Sequence, residues 1–146
     1  MARRSRAREV ALQVLFQDDI NPPDTAATTA RFLESRLKHP ELIEFAKSLI
    51  AGVRRNREEL DGILRKIASN WSLERMATTD RNIMRLGAYE IIYSETPGRV
   101  AINEAVELAK RFGSAQSSQF VNGILDKILS GYQQGSPGEV QNPNDE

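Results

Sequence analysis

The chain has 146 residues, 40% of them hydrophobic and 27% charged, with a formal net charge of zero. That length suits one domain or two small, closely packed subdomains, and the apolar content suffices for a core. The absence of cysteine excludes disulfides, thiolate metal sites and cysteine nucleophiles. No apolar run reaches membrane-spanning length and no signal-type apolar stretch follows the basic start; a cytoplasmic protein without membrane association is expected.

The apolar residues recur with helical period almost throughout, and no stretch alternates as a strand would. A first helix is predicted from about Arg3 to Asp18, with Ala7, Val10, Ala11, Val14 and Leu15 on one stripe. Asn21-Pro22-Pro23-Asp24 ends it in a turn. A second helix is predicted from Thr25 to Lys38, and Pro40 suits the first turn of a third. Residues 57–69 read either as a fourth helix or as an extension past a bend near Asn56. Ser69-Asn70-Trp71-Ser72 breaks the period and is the expected subdomain boundary. Thr78-Thr79-Asp80 then offers N-caps for a helix to about Ser94. That helix is apolar nearly all round and therefore central. Another helix is predicted from Ala101 to Phe112, closed by Gly113, and a last one from Ser114 or Ser117 to about Ser130. Residues 131–146, rich in Gly, Pro, Gln and Asn, are expected to be disordered. The expectation is an all-α chain with subdomains at 1–70 and 71–130 and a tail at 131–146.

Catalytic chemistry is not legible. The single histidine, His39, lies in a polar turn beside Pro40, and no phosphate-binding loop, metalloprotease motif or EF-hand loop is present. Asp18-Asp19 and Glu58-Glu59 are adjacent on helices, so each pair diverges and is read as a solvated face. No enzyme, metal or cofactor is expected.

Charge is distributed unevenly. Residues 131–146 hold three acidic residues and no basic one, so residues 1–130 carry a positive excess. Residues 1–16 hold Arg3, Arg4, Arg6 and Arg8 against Glu9 alone. Cations in a first turn oppose the helix macrodipole by roughly 0.3–1 kcal/mol each, which suggests an external anion. On the helical wheel Arg4 and Arg8 flank the core stripe, while Arg6, Gln13 and Phe16 point away from it. Cations with an amide and an aromatic match single-stranded RNA, whose phosphates need charge and whose bases need a flat partner. Equally, the arginines could serve only to solubilise a terminus, with Phe16 packing beside Leu12 on a second buried face. In the last helix Phe120 sits at the stripe edge, with Gln116 a turn before and Gly123 and Lys127 following on that flank. Wheel geometry alone favours a core Phe120, with Gly123 allowing close approach of another helix.

Residues 6–16 (RAREVALQVLF), 80–90 (DRNIMRLGAYE), 100–110 (VAINEAVELAK) and 120–126 (FVNGILD) resemble, in order and spacing, the motifs of the NusB family over about residues 3–130. The resemblance implies an all-α fold of two packed helical bundles with about seven helices. It implies transcription antitermination through boxA-type single-stranded RNA of ribosomal RNA leaders, bound together with NusE, a small ribosomal subunit protein. It also implies an RNA polymerase complex with NusA and NusG. By position, the RNA side would include Arg4, Arg6, Arg8, Gln13, Phe16, Gln116, Phe120 and Lys127. Gln116 stands where some relatives carry an acid, which leaves its role open. The NusE side would include the helix start at Asp80 and Arg81. The alternative is a protein–protein scaffold or homodimer that buries the arginine helix. A helix-turn-helix DNA binder ranks below both, because the basic residues are not on a compact second helix.

Overall fold

The computed structural model describes residues 3–21 and 26–133. Seven α-helices and one 3-10 turn account for its regular structure, with no strand among the described residues. The helices are α1 (Arg3–Ile20), α2 (Ala26–Arg36), α3 (Pro40–Arg55), α4 (Arg57–Ile67), α5 (Thr78–Tyr93), α6 (Gly98–Phe112) and α7 (Ser117–Gln133). The turn expected at 21–24 lies, apart from Asn21, outside the described residues. So does the expected tail from residue 134; before that, α7 continues three residues into the stretch read as disordered. Among the described residues no helix is long and apolar enough to cross a membrane.

Two compact units are resolved, Met1–Arg57 and Glu58–Glu146. The division therefore falls ahead of the expected 70/71, because α4 shares its side-chain partners with α5. Asp61 of α4 accepts two bonds from the Arg85 guanidinium, at 2.7 and 3.0 Å, and Glu59 accepts from the Tyr93 hydroxyl.

In the first unit α1 and α2 both pack on α3. Ala7, Val10, Ala11, Val14 and Leu15 are buried as the periodicity predicts, against Leu42, Ala46, Leu49, Ile50 and Val53 of α3 and Leu33 of α2. Pro40 opens α3, preceded by an extended, exposed His39. Asn56 ends α3: its backbone N–H and its side-chain Nδ2 both donate to the Gly52 carbonyl, at 3.1 and 2.8 Å. These two hydrogen bonds close the last turn of α3, and α4 follows as a helix of its own. Asp18 and Asp19 are not a solvated face. Their side chains are buried, Asp18 held by Arg54 through two bonds at 2.8 and 2.9 Å and Asp19 by Arg57. The partners lie 36 and 38 residues away, beyond the reach of any local pattern.

In the second unit α5 packs on both α6 and α7, which is why residues 82–88 are buried without a break. Gly87 is required by that approach: a Cβ there would lie 2.6 Å from Leu125 Cδ1 and 3.3 Å from Ala105 Cβ. Two buried charged side chains find partners. Arg85 reaches Asn82 Oδ1 at 3.1 Å besides Asp61, and Glu90 accepts from the Thr96 hydroxyl at 2.9 Å. Three boundaries differ from the sequence reading. Ala77 is the N-cap residue of α5 and supplies no side-chain cap, so Thr78, Thr79 and Asp80 form the first turn. Pro97 precedes α6, which starts at Gly98 rather than Ala101. Gly113 has an ordinary φ of −97°; it is needed for space, since a Cβ would meet the Ser117 side chain at 2.5 Å.

Candidate nucleic-acid interface

The first turn of α1 holds no acidic residue. Its arginines are sorted by what their side chains meet. Arg3 pairs with Glu41 at 3.1 Å in an exposed contact. Exposed Arg6 pairs with Glu9 at 3.0 Å, the carboxylate itself being buried. The Arg4 and Arg8 guanidiniums lie 4.3 and 5.0 Å from the centroid of the Phe45 ring on α3. Attraction to the face of a ring orients a cation. Arg4 stays exposed, whereas Arg8 has only 4% of its surface open. The wheel reading that both flank the core stripe describes Arg4 well, but Arg8 is covered by the packing of α1 on α3. Gln13 is exposed and Phe16 is half-buried. Leu12, one turn before Phe16, is buried, so α1 is covered on more than its main stripe.

On the second unit Gln116 and Lys127 are exposed and Phe120 is half-buried. Gly123 has open space where a Cβ would stand, so among the described residues no helix crosses there and the close-approach reading does not hold. Phe120 instead meets Trp71 in a T-shaped contact, with ring centroids 5.6 Å apart. Trp71 is 63% exposed. The sequence reading passed over it as part of a boundary turn; its signal was a large aromatic outside any apolar stripe.

At the start of α5, Asp80 sits in the first turn, where an acid complements the helix dipole. Its Oδ1 is buried and has no hydrogen-bond partner. Arg81 donates to the carbonyls of Leu73 and Met76, at 3.1 and 3.2 Å, and to Thr78 Oγ1. It thereby ties the 3-10 turn Leu73–Arg75 to α5.

The NusB family model matches residues 5–130. The chain belongs to the NusB family. It is similar to the transcription antitermination protein NusB of Anaeromyxobacter dehalogenans (strain 2CP-1), 41% identical over 139 residues that span 94% of this chain and 98% of that one. Its fold is similar to that of T. maritima NusB, with a TM-score of 0.77 at 34% identity over 87% of this chain and 90% of that one. It is also similar to a chain in the crystal structure of antitermination factors NusB and NusE in complex with dsRNA. There the TM-score is 0.79 at 32% identity, over 90% of this chain and 99% of that one. NusB membership places the chain among transcription antitermination factors, which are not enzymes.

Proposed function

We propose that this chain is an RNA-binding antitermination factor that takes boxA-type single-stranded RNA of ribosomal RNA leader transcripts together with NusE. It would act in the cytoplasm, within an RNA polymerase complex that includes NusA and NusG. The observation that carries the reading is the start of α1, where residues 3–8 hold four arginines and no acid at the positive end of the helix dipole. Support comes from the relative of the same fold solved with NusE and RNA.

Each unit offers its own RNA-contacting residues. On α1, Arg4 and Arg6 supply exposed cations and Gln13 an exposed amide, while Arg8, being covered, steadies the Phe45 shelf. Phe16 adds a half-open ring. On the second unit Phe120 supplies an aromatic edge, with Gln116 and Lys127 around it. Asp80, in the first turn of α5, would lie on the side that meets NusE; Arg81 is engaged locally and shapes that surface. The RNA in the neighbouring structure is double-stranded, whereas aromatic stacking requires unpaired bases.

Fluorescence anisotropy with a labelled boxA-type RNA, single-stranded or annealed to its complement, with and without NusE, tests the proposal. Tighter binding of the single strand, strengthened by NusE, is expected. Equal affinity for the duplex, or no gain from NusE, would overturn the corresponding part. Light scattering alongside would expose a homodimer that closes the arginine face.

A further inference from the structure

Trp71 is the only tryptophan in the chain, and it stands in the open. Its backbone N–H donates to the Ala68 carbonyl at 2.9 Å, fixing the turn that follows α4. Its indole remains 63% exposed although it is the largest apolar side chain available. A fold gains by burying such a group, so the packing of this unit does not explain it. The T-shaped contact with Phe120 sets one ring's edge against the other's face. That geometry steadies the indole and leaves at least one of its faces uncovered. Lys127 is exposed two helical turns beyond Phe120 on the same side of α7, with Gly123 open between them. A flat open ring, a second ring bracing it and a nearby cation are what one nucleotide of a single strand requires.

We infer that Trp71 is a base-stacking residue, taking one unpaired RNA base on its open indole face while Phe120 braces the ring and Lys127 serves the adjoining phosphate. This rests on the RNA-binding reading above and adds to it a residue and a chemical role.

The test uses the full chain and a fluorescein-labelled single-stranded RNA of about 12 nucleotides, long enough to cover an ordinary single-strand site. Anisotropy of the label reads binding, and emission of the lone tryptophan reads stacking. Quenching that saturates at the same midpoint as the anisotropy is expected. Trp71→Ala should weaken binding about 5- to 100-fold, with Trp71→Phe in between. The slope of log K against log salt should stay unchanged in both variants, because stacking releases no counterion. Lys127→Ala should instead make that slope shallower. Circular dichroism melts of both tryptophan variants should match the parent. Binding with unaltered emission, or undiminished binding by Trp71→Ala, would overturn the assignment while the RNA-binding reading stood. No binding by anisotropy would remove both. Emission that shifts with protein concentration in the absence of RNA would assign the indole to a second copy of the chain and overturn it.

Discussion

Replacing Asp61 by Ala should be among the most damaging single changes in the second unit. The Arg85 side chain has 4% of its surface exposed, and two of its N–H groups reach Asp61 at 2.7 and 3.0 Å. Asn82 at 3.1 Å accepts a third bond but is neutral, so it cannot balance the charge. Removing the carboxylate breaks a buried, doubly hydrogen-bonded ion pair, a change that costs roughly 3–5 kcal/mol. Set against a total stability of about 5–15 kcal/mol, that lowers the melting temperature by on the order of 10 °C. The double variant Asp61→Leu with Arg85→Met removes both charges and should recover most of the loss, since apolar replacements of buried ion pairs are often neutral. Urea and thermal unfolding followed by circular dichroism measure both. A loss below about 1 kcal/mol for Asp61→Ala, or a double variant no better than the single one, would refute the reasoning.

Three further outcomes are expected. Arg4→Ala with Arg6→Ala should weaken binding to every single-stranded RNA and flatten the salt dependence by roughly 0.7 in slope per lost phosphate contact; anisotropy at several salt concentrations reads this. Phe120→Ala and Phe16→Ala should each reduce RNA affinity by about 1–3 kcal/mol while moving the unfolding midpoint far less than the roughly 3–5 kcal/mol of a core phenylalanine; a variant that melts early yet binds normally would assign that ring to the core. Gly87→Ala should destabilise by about 1–3 kcal/mol through overpacking against Leu125, whereas Gly123→Ala, in open space, should stabilise α7 by roughly 0.5–1 kcal/mol; thermal melts of the pair decide it.

Most helices were legible from apolar residues of helical period, although 57–69 read equally as an extension of the third, and the predicted stripe on α1 is buried together with Arg8, Glu9 and Leu12. Boundaries were less legible where no local signal exists. Gly98 and Arg99 begin α6 without apolar character, and Ala77 precedes α5 where three better caps follow. Features that depend on distant partners could not be read at all. Asp18 and Asp19 look like a surface pair until Arg54 and Arg57 are brought to them. Arg8 reads only as a flank of the core stripe until α3 covers it. Trp71 shows the reverse: a residue type that usually packs, placed in a turn, exposed and braced by Phe120.

Phe45 lets α1 present charge without spending it. A carboxylate at that position would hold Arg4 firmly, but it would also neutralise the group that a phosphate is meant to meet. The aromatic face orients the guanidinium at 4.3 Å and leaves its full positive charge for an incoming anion. Substituting Glu for Phe45 should therefore keep the arginine in place and still lose nucleic-acid affinity, separating order from charge at a single site.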